Sequence, residues 1–111
     1  MAYDEQLAER VRVELEGVKG VTERKMFGGL AFMVNGNMAC GIVKDELMLR
    51  LGAEGADAAL ERPHVREMDF TGRPLTGMVY VDRAGLGQAE LHGWVQEAVA
   101  FARSLPPKAR K

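Results

Sequence analysis

The chain has 111 residues, 47% of them apolar and 28% charged, with a formal net charge of −1. This composition fits one soluble globular domain with a single core and excludes a wholly disordered chain. A pI of about 6.1 gives no support to nucleic-acid binding driven by bulk charge, which calls for a basic stripe and a high pI. The opening MAYDEQLAER is charged from the start and does not read as a secretory leader. No stretch approaches the roughly 20 apolar residues of a membrane span. The lone Cys40 can form neither an internal disulfide nor a thiolate cluster. The expectation is a cytoplasmic protein of one domain, 1–111, with a frayed tail at 106–111.

Asp4 can cap a first helix, because its carboxylate can accept from the free N–H groups of the first turn. Leu7, Val11, Leu15 and Val18 then recur at helical spacing up to Lys19-Gly20. From Thr22 to Leu51 the period drops to two. Thr22–Phe27 reads as a strand, broken by Gly28-Gly29. The runs 30–34 and 37–43 flank Asn35-Gly36, the dipeptide of a type I′ hairpin. A second tight turn at Lys44-Asp45 leads into 46–51.

With two-residue loops and a regular ladder, Met33 opposes Met38, Ala31 opposes Cys40, Cys40 opposes Leu49 and Ile42 opposes Leu47. One sheet face then holds Ala31, Met33, Met38, Cys40, Ile42, Leu47, Leu49 and Leu51 without a charge, and is expected to be the core side. The opposite face holds Leu30, Phe32, Val34, Met48 and Arg50 among others. It is too apolar for a fully wet surface, and is the expected self-association face.

The stretch 53–62 reads as a short helix ended by Pro63. Met68-Asp69-Phe70 and Met78-Val79-Tyr80-Val81 read as strands around a Gly72-Arg73-Pro74 turn. Leu91, Trp94, Val95, Ala98, Phe101, Ala102 and Leu105 stripe a last helix over about 88–104, ended by Pro106-Pro107. The order α-ββββ-α-ββ-α predicts an α+β fold, a two-layer sandwich with an antiparallel sheet.

The hexapeptide Arg24-Lys25-Met26-Phe27-Gly28-Gly29, followed by the Asn35-Gly36 hairpin, resembles the signature of the N-terminal domain of the TfoX/Sxy competence-regulator family. So do Gly72-Arg73-Pro74, Tyr80-Val81-Asp82 and Ser104-Leu105-Pro106-Pro107-Lys108. The resemblance spans essentially the whole chain in the family's order. It implies a bacterial, cytoplasmic α/β sandwich and a role like activation of competence genes beside a cyclic-AMP receptor protein at promoters. It implies no catalytic residues. Full-length regulators of the family carry a further C-terminal helical domain, and the sequence ends before one could begin.

Chemistry-bearing residues are few. Cys40 with His64 or His92 could in principle make a nucleophile, but on an apolar sheet face a thiol acts as a small hydrophobe. Two distant histidines and one cysteine give no metal-ligand spacing, so no cofactor is expected. Gly28-Gly29 precedes a strand, which leaves no helix N-terminus for an anion. Gly85-Leu86-Gly87 precedes a helix but lacks a P-loop lysine. Asp45/Glu46 and Asp4/Glu5 sit on turns or caps. The reading is a non-catalytic interaction domain with a protein partner or a second copy as a homodimer, and an enzymatic or small-ligand-binding domain as the alternative. In the Arg24–Gly29 segment, packing and bending compete with contact to an acidic partner or phosphate through Arg24 and Lys25.

Overall fold

A computed structural model describes residues 3–26, 28–70 and 73–106. Asp4 Oδ1 accepts from the backbone N–H of Gln6 at 2.9 Å and of Leu7 at 3.2 Å, and helix α1 follows over Glu5–Glu14. The start of α1 is pinned to the sheet, since Asp4 N–H donates to the Lys44 carbonyl at 2.6 Å. The helix stops before its apolar spacing does, with Gly17 at φ +83° supplying a left-handed turn open to glycine.

Strands β1 (Val21–Met26), β2 (Gly29–Val34), β3 (Asn37–Val43) and β4 (Glu46–Arg50) form the expected meander. Asn35 at φ +53° and Gly36 at φ +82° make the turn that Asn-Gly favours. Lys44 takes φ +56° in the next turn. Helix α2 (Gly52–Ala59), strands β5 (Val65–Phe70) and β6 (Arg73–Val81) and helix α3 (Gln88–Ser104) complete the expected order. The six strands form one antiparallel sheet in the order β1-β2-β3-β4-β6-β5. The Gly72 end of the predicted turn, and the tail from Pro107 onward, lie outside the described residues.

The structure corrects the expected faces of the sheet. Val34 opposes Asn37 and Met33 opposes Met38, as a regular hairpin requires, but Phe32 rather than Ala31 opposes Cys40. The ladder shifts between Phe32 and Met33, leaving Ala39 as one extra residue in β3. Such a β-bulge exchanges the faces of everything beyond it relative to the partner strand. Cys40 opposite Leu49 and Ile42 opposite Leu47 hold as expected.

Leu30, Phe32 and Val34 therefore share a face with Cys40, Ile42, Leu47 and Leu49, and all are buried. They join one core with Leu7 and Val11 of α1, Ala56 and Ala59 of α2, and Leu91, Trp94, Val95 and Ala98 of α3. The expected self-association role of Leu30, Phe32 and Val34 is overturned: these side chains lie under the helices. Ala31, Met33 and Met38, expected in the core, point to the other side.

Large and small apolar substitutions should separate the faces. Phe32→Ala is expected to cost about 3–5 kcal/mol and Phe32→Lys to abolish folding, whereas Met33→Ala should cost under about 1 kcal/mol. Urea unfolding curves of the three variants check this; equal costs at positions 32 and 33 would contradict the register.

Candidate functional site

Strand β1 is an edge strand, paired only with β2. It carries Arg24 and Lys25, both exposed, but successive strand residues face opposite ways. Arg24 opposes Ala31, on the helix-free side, and Lys25 opposes Leu30, on the helix-covered side. The two cations are thus not gathered into one patch. Met26 closes the β1–β2 ladder opposite Gly29, and Phe27 lies outside the described residues. The glycines answer to local geometry. Gly28 takes φ +71°, and a Cβ on Gly29 would stand 2.1 Å from the Ile42 carbonyl oxygen. Backbone approach between β2 and β3 therefore requires glycine at 29.

The helix-free face is the larger feature. By register, Ala31 and Met33 of β2, Met38 and Gly41 of β3, Met48 of β4, and Met78 and Tyr80 of β6 share it. Met33, Met38, Met78 and Tyr80 are half-buried. Ala31 and Met48 are fully buried yet stand outside the core that the helices cover. The centre of the face is floored by small residues, Ala31 and Gly41. Met48 folds over Gly41, its methyl 2.7 Å from where a Cβ would stand there. Unbranched methionines fill such a floor without a fixed shape.

Charged residues frame this surface rather than cross it. Arg66 of β5 donates to Glu46 of β4, through Nη2 at 2.6 Å, and lies over the Tyr80 ring 4.7 Å from its centroid. The Glu46 hydrogen bonds hold the Arg66 guanidinium pKa above its ordinary value. Arg50, expected on the association face, instead places its guanidinium over the Phe101 ring of α3 at 5.6 Å. By register Arg50 opposes Met78 at the end of β4 and shares the helix-free face with Met48, its long side chain reaching round the sheet's rim to α3. Of the five residues expected on that face, Met48 and Arg50 keep their places on the side away from the helices, and Leu30, Phe32 and Val34 do not.

The remaining chemistry-bearing residues are kept apart. His64 Nδ1 stands 3.5 Å from Asp82 Oδ1, and His92 Nδ1 stands 2.6 Å from Glu14 Oε1, tying α3 to α1. Among the described residues, no group of three or more His, Cys, Asp and Glu side chains converges as a metal site. Cys40 is fully buried in the core, and burial pushes its thiol up to about 12. At neutral pH it is a neutral apolar side chain, not a nucleophile.

At the α1–β1 seam, Arg12 donates from Nε and Nη2 to both carboxylate oxygens of Glu23, at 2.7 and 2.9 Å. These hydrogen bonds hold the Glu23 carboxyl below its ordinary range. The depressed carboxylate favours the fold above its unfolded pKa, and that support fades as pH falls through the folded value.

A regular ladder predicts Met33 and Met38 on the core side and assigns Met78 to neither face. The alternation that would have placed the first two is broken by the bulge, which no residue type at 39 announces, and the side of Met78 is set by the pairing of β6 with β4.

Cys40 provides a direct check. At pH 8 the native protein is expected to react with a disulfide reagent at least about 100-fold more slowly than the urea-unfolded chain. Comparable rates in both states would contradict burial of the thiol.

No described helix is long and apolar enough to cross a membrane. No curated protein and no solved structure matches the chain. The family described as the TfoX N-terminal domain matches residues 14–102, a span running from the end of α1 into the last turn of α3. With that match over most of its length, the chain belongs to the TfoX N-terminal domain family.

Proposed function

We propose that the protein is a non-catalytic interaction domain, linked to transcriptional regulation in the manner of competence regulators, that associates through the helix-free face of its sheet. The observation that supports this reading is the part-exposed methionine surface at Met33, Met38 and Met78, on a side to which none of the described helices contributes core residues. A two-layer fold leaves such a face to be covered by something else. Thioether side chains give it the adaptability common at binding surfaces.

The occupant we favour is a second copy of the chain. Strands of five to nine residues in a six-stranded sheet present a face of roughly 25 by 20 Å. With its rim side chains, that surface approaches the ~800 Å² per partner of a standard interface. A twofold pairing of like faces buries the methionines of both copies at once. The link to transcription rests on family membership, which is an analogy of fold and lineage rather than of site. Protein contact suits it better than direct nucleic-acid contact, given the net charge of −1. Absence of catalysis is supported by the buried Cys40 and by histidines that are separately paired with carboxylates.

Sedimentation velocity over a range of concentrations tests the assembly. The wild type is expected to form a dimer, and Met33→Lys with Met38→Lys to shift it to monomer with an unchanged circular dichroism spectrum. A wild type that stays monomeric at about millimolar concentration, or a dimer indifferent to both substitutions, would refute the proposal.

A further inference from the structure

A second surface lies on the opposite side of the sheet, at its β1 edge. Between α1 and β1 runs an open groove of about 360 Å³. Its floor is apolar: Leu15 and Phe32 are buried there, and Val21 is half-buried. Val13 stands on its wall with 58% of its surface exposed, and Glu9, Glu16 and Glu23 rim it. Arg12 bridges two of these carboxylates, donating to Glu9 at 2.8 Å as well as to Glu23. Glu16 makes no ion pair with a described residue. Three carboxylates against one guanidinium leave the lining of the groove negative, and Lys25, on the same side of β1, lies beyond that lining.

We propose that this groove, together with the free outer edge of β1, binds an extended peptide segment that carries lysine or arginine at alternate positions. Three features converge on that occupant. An apolar floor under an anionic rim matches a side chain with an aliphatic stem and a cationic tip. A phosphate or an acidic segment is repelled by the same rim.

Strand β1 is paired on one side only, so half of its main-chain N–H and C=O groups point outward and can accept an added strand. Every second side chain of such a strand falls on the helix side, above Val21 and Glu23 and facing α1.

A second copy of β1 fits the edge poorly. In antiparallel twofold addition, opposed residues must share a face. The two registers that use the centre of the strand therefore set Glu23 against Glu23 or Arg24 against Arg24. Like charges directly opposed disfavour both. The partner is accordingly a different, basic segment, and this surface is separate from the methionine face.

The test uses the whole chain, labelled with ¹⁵N, and a capped nine-residue peptide alternating lysine and threonine. Binding is expected to shift the amide signals of residues 21–25 together with those of Val13 and Glu16. Affinity should fall about tenfold for the same peptide with glutamate in place of lysine, and for Glu9→Gln with Glu16→Gln, whose own spectrum should stay native. A peptide N-methylated along its β1-facing edge should lose binding. The proposal is overturned if no signals shift, if shifts centre on Met33 and Met38, if the glutamate peptide binds as well, or if N-methylation has no effect.

Discussion

One extra residue in β3 decides how the sheet is used. Ala39 bulges out of the ladder between the pairs Met33–Met38 and Phe32–Cys40. Beyond that point every side chain of β2 sits on the face opposite to the one a regular hairpin would give it. Phe32, among the largest fully buried side chains, thereby reaches the helices, and Met33 and Ala31 are turned away from them. The three helices close over the Phe32 side because that is where the continuous apolar surface lies. It runs through Leu30, Cys40, Ile42, Leu47, Leu49, Val79 and Val81.

The two faces then differ in kind. The helix side is built from branched and aromatic side chains packed without solvent access, a surface with few alternative arrangements. The opposite side is built on Ala31 and Gly41, with Met48 folded across Gly41 and further methionines on the same face. Small residues bring the backbone close to whatever lies above, and flexible thioethers can rearrange to admit it. The polar anchors stand at the margins. Arg66 holds Glu46 and covers Tyr80, and Arg50 turns to Phe101. Asn37, buried at the end of the hairpin, donates from Nδ2 to the Pro106 carbonyl at 2.9 Å and fixes where the chain leaves α3. The fold thus presents one rigid, sealed layer and one adaptable surface.

Much of this was legible because local signals agreed with the global fold. The Asp4 cap set the start of α1, the Asn35-Gly36 turn its hairpin, and the stripe from Leu91 to Ala102 the bounds of α3, while the apolar spacing carried the expected first helix four residues past its observed end at Glu14. The α+β class followed from the tight turns between strands. The face assignment did not follow. Alternation is read relative to an assumed register, and Ala39 is as compatible with a regular strand as with a bulge. The placement of β6 between β4 and β5 is likewise set by long-range pairing with β4, to which no local signal points. The hexapeptide 24–29 was visible as a unit, but its two cations separate across the sheet because strand geometry alternates. The α1–β1 groove escaped notice because Arg12 and Glu23, eleven positions apart, meet only once helix and edge strand are packed together.

The register of β2 against β3 is the point on which the rest turns. Cross-strand nuclear Overhauser contacts in a ¹³C-edited spectrum read it directly and do not depend on the assembly state. The account expects contacts from Phe32 to Cys40 and from Met33 to Met38, with Ala39 unpaired between them. Contacts from Ala31 to Cys40 in an unbroken ladder would put the methionines in the core and Phe32 outside, and would contradict it.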